Sequence, residues 1–184
     1  MTNSALLVMD VQPAITGRVP DLDPDYTRRL ARAVAAARSA GMPVVYVVVG
    51  FRSGRPETRS SPMFSALPEG AFTDDDPGAA IHPDVAPRPG ESIVTKKRVS
   101  AFAGSDLELV LRGGDIRHLV LTGLATSGVV LSTLRQAADL DYRLTVLADG
   151  CGDADAEVHR VLTEKVFPRQ AHVTSIDTWI ADLA

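Results

Sequence analysis

Two ionisable side chains stand directly after short apolar runs and could carry acid/base chemistry. Asp10 closes the run LLVMD, and Lys96 follows SIVT in the segment VTKKRVSAF. A carboxylate in such a place is partly removed from water, which raises its pKa and suits it to proton transfer. Lys96 could pair with Asp10 or stabilise developing negative charge. The plainer alternatives are a loop acid that caps a turn and, for Lys96 with Lys97 and Arg98, a solvated charged surface.

Three more residues are candidates for a pocket wall: Phe51, Arg52 and Phe102. Arg52 could hold a carboxylate through two hydrogen bonds, although a solvated loop charge is the preferred interpretation. Cys151 is the single cysteine, which excludes an internal disulfide. It could reach a pocket from the side, but a lone cysteine is more often a small buried apolar residue.

The histidines predict neither catalysis nor metal binding. The four of them are dispersed and lack the spacing of metal ligands, and we interpret all as surface or loop residues: His82, His118, His159 and His172. We therefore expect no metal and no cofactor.

Apolar runs alternate with helical patterns along the chain. The runs predict strands at residues 5–9, 44–49, 92–95, 119–122, 144–147 and 171–174, and the helical patterns cover residues 24–40, 106–112, 127–140, 155–165 and 175–183. Several runs are continuous and β-branched, as in strands buried on both faces. The pattern predicts an α/β fold with a doubly wound, mostly parallel six-stranded sheet, helices on both faces and strand order 3-2-1-4-5-6.

One junction and one irregular segment indicate where a ligand would bind. The fourth run stops at Thr122-Gly123 and a helical pattern follows within a few residues, so free backbone N–H groups would face a ligand there. No cysteine, histidine or acid stands at that helix start, so a reactive group must come from elsewhere.

Residues 50–90, here called the covering segment, are rich in proline, glycine and acids, and we expect them to cover the carboxyl edge of the sheet.

Composition limits the class of protein. The chain has 184 residues, of which 45% are hydrophobic and 23% charged, which predicts a single globular domain over residues 1–184. A net charge of −4 with scattered arginines argues against nucleic-acid binding. The amino terminus lacks a basic signal-peptide start, and no run approaches the roughly 18 apolar residues of a membrane span, so we expect a cytoplasmic protein that does not bind membranes.

Taken together, Asp10, VTKKRVSAFAGSDL and GLATSGVVLSTLRQAADLDYRLTVLADGCGD resemble the isochorismatase-like hydrolase superfamily, the cysteine hydrolases. The resemblance runs through nearly the whole chain in the same order. It implies a triad of a strand-end Asp, a Lys in a TKxRxSAF-type segment and a Cys in GxxTxxC. Asp10 and Lys96 then match the first two members, Lys97 is a bystander, and the nucleophile position falls on Val129.

The resemblance has further implications. It implies a cis peptide bond at Leu124–Ala125 that turns backbone N–H groups toward a substrate, and assembly as a homodimer or homotetramer through helix faces and the long loop. Family members that cleave isochorismate also lack the cysteine and use the Asp as an acid. Their Gln and Tyr positions fall here on Val49 and Ala125, so isochorismate itself is not expected. The metal-binding cluster of nicotinamidases is also missing after the second strand, where Gly50 begins GFRS.

Other hydroxyls do not obviously replace the missing thiol. On a regular helix Ser127 and Ser132 point away from the Val129 position, and Ser127 is better explained as a helix cap. Two hypotheses follow. The first is a hydrolase of a small, largely apolar molecule that uses Asp10 and Lys96 without a covalent intermediate. The second is a non-catalytic family member that binds a small molecule or serves assembly. A flavodoxin-like redox protein ranks last, because no phosphate-binding glycine pattern follows the first strand.

Overall fold

The computed structural model describes residues 3–20 and 22–183, so the expected domain ends at residues 1 and 184 lie outside it. Its centre is a parallel six-stranded sheet in the order β3-β2-β1-β4-β5-β6, which confirms the predicted order. The strands are β1 (Ser4–Met9), β2 (Val44–Val49), β3 (Ser92–Lys96), β4 (His118–Leu124), β5 (Arg143–Gly152) and β6 (His172–Thr174).

Seven α-helices accompany the sheet within the described residues. They are α1 (Pro13–Thr16), α2 (Tyr26–Ser39), α3 (Pro62–Ser65), α4 (Leu107–Gly113), α5 (Leu131–Asp139), α6 (Ala156–Val161) and α7 (Ile176–Leu183). Helices α2 and α7 bury Leu30 and Trp179 against one face of the sheet. Helices α4 and α5 bury Leu111 and Leu134 against the other. The sheet is therefore doubly wound, as predicted.

Strand β1 lies at the centre because it is apolar on both faces. All six of its residues are buried, and it pairs in parallel with β2 at Leu6↔Val44 and with β4 at Ser4↔His118. Helices on both sides leave no face in water, so a continuous apolar run is what this position requires. Parallel pairing also brings the carboxyl ends of β1, β2, β3 and β4 to one edge.

Strand β5 is longer than the predicted run at residues 144–147. It continues to Gly152 because its register with β4 shifts between Leu121 and Gly123, after which Gly123 pairs with Cys151. Gly123 has a φ of 135°, and a Cβ atom built on it would lie 2.1 Å from the Met9 carbonyl oxygen. Only glycine allows β4 to approach β1 this closely. Residues 148–152, which lie after the predicted run, therefore belong to the strand.

The covering segment folds into short helical turns joined by loops. Besides α3, these are the 3₁₀ turns Pro56–Thr58, Pro77–Ala79 and Pro83–Val85. Phe64 and Phe72 of this segment form a small buried cluster with Phe51 and Val49, next to the strand ends. The predicted position over the carboxyl edge of the sheet is confirmed.

The Gln12 side chain joins the covering segment to the sheet. It is fully buried, and its amide donates to the carbonyl oxygens of Val49 at 3.1 Å and Ala79 at 2.6 Å. Its Oε1 accepts a hydrogen bond from the Val49 N–H at 3.0 Å. The side chain thus extends the ladder of β2 by one rung. Within the described residues, no helix is long and apolar enough to cross a membrane.

Candidate active site

The Asp10 carboxyl is placed by the sharp exit of the chain from β1. Asp10 has a φ of 56°, a left-handed conformation that few residues other than glycine adopt readily but that Asp and Asn tolerate. Its N–H still donates to the Val47 carbonyl oxygen at 2.8 Å. The backbone therefore turns out of the sheet at Asp10 while its N–H completes the pairing with β2.

The Lys96 side chain meets Asp10 across the end of β2. Lys96 is the last residue of β3, and its Nζ lies 2.9 Å from Asp10 Oδ2. The side chains of Lys96 and Asp10 are only 3% and 7% exposed, so the ion pair is almost fully out of water. The Nζ also donates to the Arg98 carbonyl oxygen at 3.0 Å. Lys97 points elsewhere and donates to the Gly50 carbonyl oxygen, as expected for a bystander.

The environment of Asp10 favours the protonated carboxyl more than water does. Burial raises the pKa of Asp10 to about 6, although the charge and hydrogen bond of Lys96 act in the opposite direction. Asp10 Oδ1 is buried and has no hydrogen-bond partner among the described residues. Asp10 therefore has one oxygen anchored by Lys96 and one left to bind a proton or a ligand.

The turn after β4 forms the third side of the site. The Leu124–Ala125 peptide bond is cis, at the position implied by the resemblance. A π-helical turn over Thr126–Val130 follows, in which Gly128 departs from helical geometry, and the regular helix α5 begins at Leu131. The prediction of a helix from residue 127 was therefore wrong in this turn, and angles counted on a regular helix do not apply to Ser127.

These groups face one cavity of about 220 Å³ at the carboxyl edge of the sheet. Asp10, Lys96, Leu124, Ala125 and Val129 all line it. The other lining residues are mainly apolar and come from the segments around the strand ends: Ile15, Arg18, Val49, Met63, Phe64, Leu67, Phe72, Val99 and Gly128. Val129 is 2% exposed, so its isopropyl group fills the space where the resemblance places a thiol.

The three predicted wall residues do not line this cavity. Phe51 lies behind the wall, with its ring centroid 5.5 Å from that of Phe64. The Arg52 side chain is 74% exposed and pairs with Glu57. Phe102 turns into the core against Tyr142, with ring centroids 6.1 Å apart.

The structure also locates the other nucleophile candidates away from the cavity lining. Cys151 is buried in the core, with its Sγ 4.0 Å from the Leu121 carbonyl oxygen, and burial raises the pKa of its thiol to about 12. Ser127 is exposed, and its N–H donates to Asp153 Oδ2 at 2.7 Å. Cys151 is therefore a small buried residue of the core, in line with the preferred interpretation.

Two features of the site were not predicted from the sequence. Arg18, Phe64 and Phe72 line the cavity but come from irregular segments without a strand or helix pattern. His159 is half-buried, and its Nδ1 lies 2.8 Å from Thr126 Oγ1, which connects α6 to the π-helical turn. The order of residues in AEVHRVL gave no signal for this contact. Among residues 3–20 and 22–183, no group of three or more His, Cys, Asp or Glu side chains is arranged to hold a metal ion.

Comparison with known proteins shows the family to which the fold belongs. Residues 4–178 match the isochorismatase domain family. The chain is 32% identical over 208 residues to ureidoacrylate amidohydrolase RutB of Stutzerimonas stutzeri, covering 99% of this chain and 80% of that protein. An isochorismatase family protein from Burkholderia thailandensis superposes with a TM-score of 0.87 at 26% identity, over 100% of this chain and 96% of that chain. N-carbamoylsarcosine amidase from Thermoplasma acidophilum gives 0.72 at 26% identity, over 95% and 97%. The chain belongs to the isochorismatase family.

Proposed function

We propose that this protein hydrolyses a small, largely apolar molecule with Asp10 as general acid and without a covalent intermediate. The observation that carries the proposal is the buried Asp10–Lys96 pair, 2.9 Å apart, facing an apolar cavity beside Val129. Structural ion pairs are seldom placed in a cavity with one carboxylate oxygen unpartnered, because that oxygen is costly to bury. Groups with raised pKa values in a cleft are typical of catalytic sites.

The geometry suggests where the proton would reside. Lys96 donates to Oδ2, so protonation of Asp10 places the hydrogen on Oδ1, the oxygen without a partner. In the proposed reaction the Oδ1 proton passes to the leaving group of an amide or ester as its bond breaks. In a vinyl ether the same proton passes to the β-carbon, and the alcohol leaves after water has added to the neighbouring carbon. Water adds its oxygen to the substrate and returns one proton to Asp10, so atoms and charge balance over one turnover. Lys96 would hold the carboxyl in place throughout.

The resemblance and the relatives define the bonds to test. Two relatives bear the names of an amidohydrolase and an amidase, which favours amides. Val129 stands where a cysteine hydrolase has the thiol that attacks an amide. The missing thiol favours acid-labile vinyl ethers as substrates instead. Esters form the third class to test, because an alcohol leaves more readily than an amine.

A screen over small amides, esters and vinyl ethers tests the proposal. We expect turnover of at least one class, with a rate that falls as pH rises through about 6, because only protonated Asp10 can donate. Asp10→Asn should lose at least about 100-fold in rate, in the range of general acid catalysis. A rate that rises through the same pH would assign Asp10 as a base and contradict the acid role. Unchanged turnover in Asp10→Asn would overturn the assignment of the site.

Val129 also supports a second candidate function. A valine at the nucleophile position is compatible with a family member that has kept the cavity to bind a small molecule or to serve assembly. No turnover in the screen, together with tight binding of an unchanged ligand, would favour this alternative. The cytoplasmic location and the homodimer or homotetramer remain predictions.

A further inference from the structure

Arg18 lies at the cavity, just after the short helix α1. Its N–H donates to the Ile15 carbonyl oxygen at 2.9 Å, and its guanidinium carbon lies 5.9 Å from the centre of the Phe72 ring. Ile15, Arg18 and Phe72 all line the cavity. The stacking on Phe72 is a cation–π contact, which holds the guanidinium over an aromatic face while leaving its N–H groups available.

The charges that line the cavity do not cancel. Three lining side chains are ionisable: Asp10, Lys96 and Arg18. Asp10 and Lys96 neutralise each other at 2.9 Å, whereas Arg18 makes no ion pair with any residue that the structure describes. The remaining lining is apolar, with Phe64, Phe72 and Val129 among its members. A molecule bound there would therefore meet an apolar enclosure with one positive charge in excess.

We propose that the substrate of this site is a small monocarboxylate with an apolar body, and that Arg18 binds its carboxylate; this inference rests on the proposed function. A planar guanidinium matches a carboxylate through two parallel hydrogen bonds. The apolar body would pack against Phe64 and Phe72, with the bond to be broken beside Asp10. A phosphate ester would bring two negative charges to one unpaired cation, so a carboxylate is the better match.

Arg18 takes the role that the sequence offered to Arg52. The Arg52 guanidinium pairs with Glu57 on the exposed side of the covering segment and does not line the cavity. Arg18 approaches the cavity because α1 ends beside it and Phe72 supports its side chain. The cation for a carboxylate thus comes from the loop after β1, the same loop that begins with Asp10.

Binding of two matched ligands tests the inference without any chemistry. 3-Phenylpropanoate and 4-phenylbutan-2-one have the same number of non-hydrogen atoms, and only the first carries a charge; neither has a bond to hydrolyse. We expect calorimetry at low salt to show the acid binding at least tenfold more tightly, as for a charge-assisted hydrogen bond. Arg18→Met should bring the two affinities together, and Arg18→Lys should retain part of the preference.

The control is Arg59→Met, which removes the same charge from an exposed arginine of the covering segment that does not line the cavity. It should leave the preference for the acid unchanged. Equal affinities in the wild-type protein, no measurable binding of the acid, or an unchanged preference in Arg18→Met would overturn the inference. Acid preference without hydrolysis of any substrate would contradict only the proposed function. Hydrolysis of neutral substrates without acid preference would contradict only this inference.

Discussion

At the scale of single residues, the central feature is a carboxyl group kept out of water beside an ammonium group. Taking both groups out of water costs free energy that their attraction only partly offsets, so a buried pair is weak evidence for stability. Its position in a cavity is better explained by a role in catalysis than by a role in stability. The folded protein binds a proton on Asp10 more tightly than the unfolded chain does, because burial raises the pKa of Asp10 to about 6. The free energy of unfolding therefore falls as pH rises through about 6 and Asp10 becomes ionised. At lower pH, where Asp10 is protonated, this loss of stability is absent.

Removal of Lys96 should lower the free energy of unfolding in a pH-dependent way. Lys96→Met leaves the Asp10 carboxylate buried without its ionic partner, so we expect it to lower the free energy of unfolding by about 3–5 kcal/mol at pH 8. The loss should be smaller at pH 5, where Asp10 is protonated. Urea denaturation at the two pH values measures the difference. In the control, Asp10→Asn combined with Lys96→Met, the pH dependence should be largely absent; a loss in Lys96→Met that is equal at both pH values would contradict the interpretation.

Val129 offers a direct probe of the nucleophile position. Val129→Cys places a thiol in the cavity lined by Lys96, whose positive charge favours the thiolate. We expect it to react with iodoacetamide at least tenfold faster than the wild-type protein, measured by mass spectrometry. The wild type is the matched control, because its single thiol, Cys151, is buried and has a raised pKa. An introduced thiol as slow as Cys151 would show that the cavity is closed to reagents.

The residues of the site differed in how well the sequence revealed them. Asp10 and Lys96 follow apolar runs, and parallel strands bring such ends to one edge, so their approach was predicted and is confirmed at 2.9 Å. Arg18 was missed because Phe72, far along the chain, places its side chain. Phe102 follows Lys96 closely in sequence, but the turn between them directs its ring toward Tyr142. Contacts set by distant partners leave no local pattern.

At the scale of elements, strands were predicted best. Continuous β-branched runs are typical of strands buried on both faces, and each of the six strands overlaps a predicted run. The end of β5 was missed because Gly150 and Gly152 are typical of a turn, whereas here they lie in a strand that shifts register. The π-helical turn at Thr126–Val130 was taken for helix because its residues are compatible with both.

The close approach of β1 and β4 gives a prediction at this scale. Gly123→Ala would force its new methyl group against the Met9 carbonyl oxygen and place alanine at a φ of 135°. We expect a loss of about 3 kcal/mol or more in the free energy of unfolding, from overpacking and backbone strain together. Thermal or urea denaturation measures it. Gly113→Ala, at the end of α4 with nothing near its Cβ position, is the control and should change stability by less than about 1 kcal/mol. Equal effects would contradict the argument.

At the scale of the whole molecule, exposed apolar side chains favour assembly into an oligomer. The resemblance implies contacts through helix faces and the long loop, and both surfaces expose large apolar side chains. Leu109 on α4 is 73% exposed and Met63 in the covering segment is 63% exposed. We expect light scattering to give two or four times the chain mass of 19.5 kDa. A mass of one chain across a hundredfold range of concentration would contradict this prediction.

The Gln12 amide affects local opening of the structure near the cavity. Gln12 donates to Ala79 of the covering segment and accepts from the Val49 N–H, so withdrawal of the Gln12 side chain from β2 frees that N–H. Deuterium uptake at Val49 should therefore report release of the Gln12 side chain, the link between β2 and the covering segment, rather than fraying of the strand. We expect uptake there to be slow, and at least tenfold faster in Gln12→Leu, by hydrogen-exchange NMR. Amides at the centre of β1 serve as the reference and should keep their rates. One buried glutamine would then set how often a ligand can enter or leave.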